Sequence, residues 1–180
     1  MKIYMFLAEG FEEVEAIAPL DILRRAGLDV ITVGIGGVAV TGAHGITVMA
    51  DIDESEAEDT PDAVILPGGM PGTLNLDASK TVESLTLSTS AAGGYVCAIC
   101  AAPRVLGRLG LLCGKRFTCY PGTEELVKNG IHTDERVTVD GKIITAKGMG
   151  CGVELGLALV ALFCGKEKSE ELRISTISDR

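Results

Sequence analysis

The chain has 180 residues and a formal net charge of −9 at pH 7, with 47% hydrophobic and 23% charged residues. These proportions exclude wholesale disorder and suit a single globular domain over residues 1–180. The net negative charge argues against binding to nucleic acid through charge. The chain has two histidines, His44 and His132, which are too few for a site built from several imidazoles of one chain.

Short apolar runs alternate along the chain with segments of helical period. In the first half, the sequence predicts a strand at residues 2–7, a helix at 11–26, a strand at 30–33, a hairpin-like excursion over 34–49 and a solvated acid-rich connection over 51–62. In the second half, it predicts strands at 63–66, 94–99, 117–119, 137–139 and 143–146, helices over 73–92 and 104–109, a buried apolar helix from 149 and a charged C-terminal helix.

This alternation predicts an α/β fold with a mainly parallel central sheet and helices on both faces. In such a sheet, ligands bind beyond the carboxyl ends of the strands. Residues 8–15, 67–72 and 100–103 follow three of the predicted strands and are therefore the candidate binding segments.

The location of the protein is predicted from what the sequence lacks. The N-terminal MKIYMFLAEG has no signal cleavage site, and the longest strongly apolar stretch, 153–164, is shorter than the roughly 20 residues needed to cross a bilayer. We expect a soluble, cytoplasmic protein with no membrane partner. Several of the six cysteines lie inside apolar runs, which predicts reduced thiols rather than disulfides.

Cys100 stands where the strand GYVCAI runs into a helical segment that opens with small residues and Pro103. A side chain at such an elbow is lifted out of the sheet and faces backbone N–H groups and the positive end of the helix dipole. Both features favour the thiolate, which is the reactive form of cysteine. We predict that Cys100 is a nucleophile, although the local pattern also fits a buried core cysteine.

Gly68 and Gly69 follow the predicted strand 63–66. Their backbone N–H groups, together with that of Ala101, would form an oxyanion pocket beside the thiolate. An isolated glycine pair is also explained by a tight turn with positive φ, so the pocket interpretation depends on Cys100 lying nearby.

Glu15 shares a predicted helix face with apolar residues, whereas Glu12 and Glu13 can reach solvent near the start of that helix. A carboxyl on an apolar face beside a thiolate would have a raised pKa and would stay protonated. It would then donate a hydrogen bond to sulfur or transfer a proton. The alternative is an ordinary acid of an amphipathic helix.

Other cysteine chemistry fits the spacing poorly. Cys97 and Cys100 form a C-x-x-C, but Cys97 falls inside the strand, so a redox dithiol is disfavoured. A zinc site from Cys97, Cys100, Cys113 and Cys119 lacks a second C-x-x-C. We expect neither a metal nor a cofactor.

Five segments, taken in order, resemble the ThiJ/PfpI superfamily, and most closely the subgroup that contains the parkinsonism-associated protein deglycase and its bacterial relatives. They are LAEGFEEVEAIAPLDILRRAG (7–27), VILPGG (64–69), NL (75–76), AICAAP (98–103) and TAKGMG (145–150). The resemblance implies a flavodoxin-like three-layer sandwich that forms a homodimer. It places Cys100 on the family's reactive cysteine, Glu15 on the acid that hydrogen-bonds it, and Gly68, Gly69 and Ala101 on the backbone donors.

The sequence lacks a histidine at two positions where members of the family carry one. Tyr120 stands where the subgroup commonly has a histidine, and Ala101 stands where the protease-like branch has one, so protease and amidotransferase chemistry is disfavoured. His44 lies where relatives carry a basic residue that approaches the neighbouring subunit's site. It is a candidate accessory base across a dimer interface, or a surface histidine.

The resemblance implies a cofactor-independent cysteine enzyme of glyoxalase or deglycase type. Its partners would be small aldehydes or dicarbonyls, or glycated protein, with Cys100 assisted by Glu15. An alternative is an oxidative-stress sensor or chaperone whose Cys100 is oxidised to sulfinic acid without turnover. A third interpretation is a small-molecule hydrolase of unknown substrate.

Overall fold

The structure is a computed structural model that describes residues 1–178. The strands among these residues are β1 (Lys2–Ala8), β2 (Asp29–Ile35), β3 (Ala39–Thr41), β4 (Thr47–Met49), β5 (Ile52–Asp53), β6 (Ala63–Leu66), β7 (Tyr95–Ile99), β8 (Arg116–Phe117), β9 (Ile131–His132), β10 (Val137–Asp140) and β11 (Ile143–Ala146). The α-helices are α1 (Glu13–Arg25), α2 (Gly72–Ala78), α3 (Lys80–Ala91), α4 (Pro103–Arg108), α5 (Gly152–Cys164) and α6 (Lys166–Ser175).

Seven strands form the central sheet in the order β10-β11-β7-β6-β1-β2-β5. All neighbouring strands are parallel except β10 and β11, which form an antiparallel hairpin joined by Gly141 and Lys142. The excursion after β2 is the antiparallel pair β3-β4, and β8 pairs with β9 outside the central sheet.

The two faces of the sheet are covered by different helices. Alternate residues of β1 divide between the faces: Ile3, Met5 and Leu7 pack with α1, α5 and α6. Tyr4 and Phe6 pack with α2, α3 and α4 on the opposite face. This period-2 division, repeated in β6 and β7, explains why the central strands are apolar throughout. The predicted α/β sandwich with helices on both faces is confirmed.

Glycine permits the close packing of α1 against α5. A Cβ added at Gly156 would lie 2.8 Å from the Cβ of Ile22 and 3.1 Å from the Cα of Pro19. Because these neighbours are backbone or first side-chain atoms, they cannot turn away. The small residue therefore sets how near α5 lies to the helix that carries Glu15.

The structure corrects several sequence-based boundaries. The helix predicted over 73–92 divides into α2 and α3 at Ser79, whose hydroxyl accepts a hydrogen bond from Val82 N–H (3.2 Å) and so caps α3. The strand predicted at 117–119 is the short β8, and the acid-rich connection contains the edge strand β5. The apolar helix α5 is not wholly buried, because Val153 is 39% exposed and Leu162 37% exposed.

We searched the described helices for a membrane-spanning segment. Within residues 1–178, none combines the length and the apolar character that crossing a bilayer requires.

Candidate active site

The loops after β1, β6 and β7 meet at the carboxyl edge of the sheet, as the sequence predicted. Glu12 N–H donates to the Gly68 carbonyl (2.9 Å), and Gly72 N–H donates to the Gly10 carbonyl (3.0 Å). The chain runs from β1 to β2 on one side of β1 and later returns to β6 on the other. The site therefore lies at the switch point where open parallel sheets commonly bind ligands.

Cys100 is held at the elbow between β7 and α4 in an uncommon backbone conformation. Its φ is 63°, which is in the left-handed region for a residue with a Cβ. Its N–H donates to the Ala146 carbonyl (2.9 Å), and its own carbonyl accepts from Tyr120 N–H (2.8 Å). A conformation of this kind costs about 1–3 kcal/mol and persists where neighbouring contacts enforce it, often at a functional residue.

Glu15 projects from the first turn of α1 and is fully buried. Its Oε2 accepts a hydrogen bond from Gly68 N–H (3.0 Å), whereas Oε1 is buried without a partner among the described residues. Burial raises the pKa of Glu15 to about 7, although the nearby Cys100 thiol lowers it in part. Near neutral pH, a substantial fraction of Glu15 is therefore protonated and able to donate a hydrogen bond.

Gly68 occupies the narrow space between the two reactive side chains. A Cβ at this position would lie 2.5 Å from Glu15 Oε2 and 2.7 Å from Cys100 Cβ. At the next position, the φ of Gly69 is 90°, in the left-handed region. The turn requires glycine, and it brings the Gly69 N–H close to Cys100. The Gly68 N–H, which the sequence also predicted as an oxyanion donor, is instead taken by Glu15 Oε2.

The pKa of Cys100 differs in direction from the sequence expectation. Burial raises the pKa of the Cys100 thiol, and the negative charge of Glu15 raises it further. The backbone N–H groups of Ala101 and Gly69 lower it, as expected, but the net direction is upward. The helix that follows has only six residues and begins at Pro103, so its dipole is small.

Cys100 and Glu15 consequently titrate as a pair. When Glu15 carries its proton, the like-charge repulsion that raises the pKa of Cys100 disappears. Near neutral pH, the pair can then carry a single negative charge in two ways. Either Cys100 is a thiolate and Glu15 is protonated, or Cys100 is a thiol and Glu15 is a carboxylate.

The two accessory residues lie in different surroundings. Tyr120 is joined to the elbow through its backbone N–H, and its side chain is 56% exposed. The His44 ring is largely exposed, and its Nδ1 lies 2.8 Å from Glu13 Oε2. Within the described chain, His44 is thus a surface residue bound to Glu13 rather than to Cys100.

Glu13 was misjudged from the sequence, because it is 5% exposed rather than solvated. Its Oε1 accepts a hydrogen bond from His44 N–H (2.7 Å), which fastens the β3-β4 excursion to α1. Burial alone would raise the pKa of Glu13, but hydrogen bonds from His44 and backbone N–H groups hold it below its usual value. The local sequence around Glu13 and His44 does not indicate this pairing, because it depends on the β3-β4 excursion folding against α1.

Two groups of metal-ligating side chains occur among residues 1–178, each with ligand atoms within 4.8 Å of one another. One comprises Glu12, Glu13 and His44. Its carboxylates already serve the protein, because Glu13 binds His44 and Glu12 Oε2 caps α1 by accepting from Glu15 N–H (2.7 Å). The other comprises Cys119, which directly precedes Tyr120, and Glu124 and His132, which follow it.

Comparisons with known proteins match almost the whole chain. A family model described as the DJ-1/PfpI family matches residues 1–162. Protein dj-1beta of Drosophila melanogaster is 39% identical over 172 residues, which cover 93% of this chain and 92% of the fly protein. The glutathione-independent glyoxalase DJR-1.2 of Caenorhabditis elegans is 33% identical over 167 residues, which cover 91% of this chain and 89% of the worm protein. A crystal structure of a cysteine-to-alanine mutant of a Salmonella typhimurium DJ-1 superfamily protein has a TM-score of 0.94 at 38% identity, covering 98% of this chain and 97% of that one.

Proposed function

The chain belongs to the DJ-1/PfpI family, as its sequence motifs predicted, and we propose that it is a cofactor-independent cysteine enzyme acting on reactive dicarbonyls or their early protein adducts. The observation that carries the proposal is the fully buried Glu15, with one unpartnered oxygen, beside Cys100 at a strained elbow. The worm relative named a glutathione-independent glyoxalase supports a reaction in which the protein itself supplies the thiol.

With methylglyoxal as substrate, the Cys100 sulfur adds to the aldehyde carbon, forming a C–S bond and leaving negative charge on the aldehyde oxygen. The N–H groups of Gly69 and Ala101 stabilise this oxyanion, which takes a proton to give a hemithioacetal. Glu15 carboxylate then removes the C–H proton of the former aldehyde carbon, and the electron pair passes to the neighbouring carbonyl to give an enediolate. Protonated Glu15 returns this proton to the former carbonyl carbon, while the hydroxyl proton of the hemithioacetal moves to the oxygen on that carbon. The product is a thioester of lactate, which water hydrolyses to lactate and free Cys100.

This sequence of steps is redox-neutral overall, because one carbon is oxidised as its neighbour is reduced. It requires one thiol, one carboxyl and one water. A carboxyl with a pKa of about 7 suits the proton transfer, because it is populated in both its acid and base forms at neutral pH. The steps need no imidazole, which agrees with Tyr120 at the position where relatives commonly carry histidine.

Formation of lactate from methylglyoxal by the purified protein tests the proposal. We expect turnover without added glutathione, and a loss of at least about a hundredfold in Cys100→Ser and in Glu15→Ala. Cys113→Ser removes an exposed thiol elsewhere and serves as the matched control. Activity that survives both site substitutions at the parent level would remove the proposed roles.

We further propose that the protein acts as a homodimer. The face formed by α1, the β3-β4 excursion and α5 carries exposed apolar side chains, which are Val14, Ile17, Ile46, Met49 and Val153. Val14, Ile17, Ile46 and Val153 line one open cavity on this face, and an exposed apolar patch is typical of a protein interface. His44 lies on the same excursion, so a dimer through this face would bring it close to the partner chain.

A cytoplasmic location agrees with the cysteines, all six of which are free thiols. Cys113 and Cys164 are exposed, and exposed free thiols suit a reducing compartment. When source cells are fractionated, we expect to detect the protein in the cytosolic fraction.

Oxidative sensing is the second candidate function, and the unpartnered Oε1 of Glu15 favours it. A protonated Oε1 would donate a hydrogen bond to an oxygen of sulfinic acid at Cys100, so the carboxyl would stabilise that oxidised state. After mild peroxide treatment, mass spectrometry should find Cys100 oxidised ahead of the exposed Cys113 and Cys164. Equal oxidation of the three would remove this function.

A further inference from the structure

Cys119, Glu124 and His132 come together at the ends of one surface loop. Cys119 follows β8, His132 is the last residue of β9, and Glu124 opens the 3₁₀ turn Glu124–Leu126 between them. The thiol sulfur, a carboxylate oxygen and an imidazole nitrogen lie within 4.8 Å of one another. The loop thus gathers three different metal-ligating groups outside the Cys100 site.

Backbone contacts fix the positions of these three residues. Parallel pairing of β8 with β9 sets Phe117 beside His132, and Thr133 N–H donates to the Phe117 carbonyl (2.7 Å). The His132 ring contacts the Phe117 ring, with 5.4 Å between their centroids. Glu124 Oε2 accepts from Gly122 N–H (2.7 Å), which holds the carboxylate toward Cys119.

The spacing suits tetrahedral coordination. Zn²⁺ binds sulfur at about 2.3 Å and carboxylate oxygen at about 2.0–2.2 Å, so tetrahedral geometry separates two such donors by about 3.6 Å. The distance between Cys119 Sγ and Glu124 Oε2 is 3.8 Å. Binding therefore requires little movement of this pair.

The donor set also selects the kind of ion. A thiolate, a carboxylate and a neutral imidazole together carry two negative charges, which match a divalent cation. Sulfur and imidazole donors favour Zn²⁺ over Mg²⁺ or Ca²⁺, which prefer oxygen. Cys119 is buried and His132 exposed, so the site is closed on one side and open to an entering ion on the other.

We propose that Cys119, Glu124 and His132 bind Zn²⁺ and thereby close the loop between β8 and β9. Three protein ligands leave a fourth position for water. The ion would restrict the motion of the loop that contains Tyr120. Because Tyr120 N–H donates a hydrogen bond to the Cys100 carbonyl, the ion would also stabilise the backbone at Cys100. The proposal is independent of the reaction at Cys100.

The charges around the site are compatible with a cation. Lys147 lies near Cys119 but is ion-paired with Asp134. Burial raises the pKa of the Cys119 thiol to about 12, and the Glu124 carboxylate contributes to the rise. Zn²⁺ would bind the thiolate form of Cys119, so its binding would release the thiol proton.

Zinc binding is tested by equilibrium dialysis with metal analysis, using Cys100→Ser as the parent to remove competition from the reactive thiol. We expect one Zn²⁺ per chain, and binding at least about tenfold weaker in Cys119→Ser and His132→Phe. Phenylalanine keeps a ring against Phe117 while removing the ligand, so His132→Phe decides the question if Cys119→Ser folds poorly. Co²⁺ in place of Zn²⁺ should give a thiolate-to-metal charge-transfer band that Cys119→Ser abolishes.

Two control variants of the same parent locate the ion. Cys113→Ser removes an exposed thiol, and His44→Ala removes the other histidine with its acidic neighbours, so both should bind Zn²⁺ as the parent does. Absence of binding to the parent, unchanged binding in His132→Phe, or loss of binding in His44→Ala would each overturn the proposal.

Discussion

At the scale of single residues, Glu15 controls the protonation of the site. Its pKa of about 7 reflects burial, and its neighbour Cys100 has a thiol whose pKa burial and the Glu15 charge both raise. The pair therefore loses its first proton near neutral pH and its second only far above it. We therefore expect the reactive thiolate to form while Glu15 keeps the remaining proton of the pair.

The pH dependence of Cys100 alkylation tests this sharing. In the wild-type protein, the rate of reaction with iodoacetamide should rise with pH to a midpoint near 7, the pKa of Glu15. In Glu15→Gln, the thiol titrates alone in a buried site, so the midpoint should move upward by a pH unit or more, about the size of common environmental shifts. Mass spectrometry of the labelled Cys100 peptide gives the rate, with the exposed Cys113 as an internal control. Coincident profiles for the two proteins would contradict the shared proton.

The buried carboxyl also makes stability depend on pH. Folding raises the pKa of Glu15 from 4.5 to about 7. The contribution of Glu15 to the stability of the folded state is therefore fully present below pH 4.5 and is lost as the pH rises through 7. The free energy of unfolding of Glu15→Gln should therefore equal that of the wild type near pH 4.5. At pH 8 it should exceed the wild-type value by up to ~3 kcal/mol. Urea unfolding at the two pH values measures this difference. Glu125→Gln, an exposed position, controls for loss of one charge and should show no such trend.

The sequence predicted a site at Cys100 and Glu15 because each carries a local signal, and the structure brings the two side chains together beside Gly68. Cys100 follows an apolar strand and precedes small residues, and Glu15 lies among apolar neighbours of a helix. No local sequence pattern marks Glu13 or the three proposed zinc ligands, which are Cys119, Glu124 and His132. Their surroundings depend on contacts between loops that only the folded chain brings together.

At the scale of elements, the strands of the central sheet were predicted more accurately than the helices. β6 and β11 begin and end where the apolar runs do, since both faces of a central parallel strand are buried. The boundary at Ser79 was missed because helical periodicity continues across it. The serine cap restarts the helix in a new direction without interrupting the apolar pattern.

The packing of α1 against α5 is the interaction between elements that positions Glu15. Gly156→Ala should destabilise the protein by about 1–2 kcal/mol, because the added Cβ meets Ile22 and Pro19 and overpacking outweighs the gain in helix propensity. Urea unfolding measures the effect. Gly150→Ala is the matched control, since a Cβ there has open space and should be neutral or stabilising. A Gly156→Ala protein as stable as the wild type would show that the two helices separate without cost.

At the scale of the whole molecule, strand order decides where the chemistry lies. After β1, the chain continues to β2 on one side of the sheet, and after β6 it continues to β7 on the other side. This reversal opens a crevice at the carboxyl ends of β1 and β6. Glu15 and Gly68 enter this crevice from the two sides, and Cys100 joins them from the adjacent β7. The alternation of strands and helices predicted the layers but not the order of the strands, which depends on how the connections cross the sheet.

The exposed apolar face predicts the oligomeric state. Ile17 on α1 is 39% exposed and lies on that face beside other exposed apolar side chains, so Ile17→Asp would place a charge where a homodimer buries apolar surface. We expect the wild type to be a dimer by size-exclusion chromatography with light scattering, and Ile17→Asp to be a monomer with unchanged circular dichroism. Leu87→Asp alters a similarly exposed leucine, 38% exposed, on α3 across the sheet and should remain a dimer. A dimer that persists in Ile17→Asp, or is lost in Leu87→Asp, would place the interface on another face.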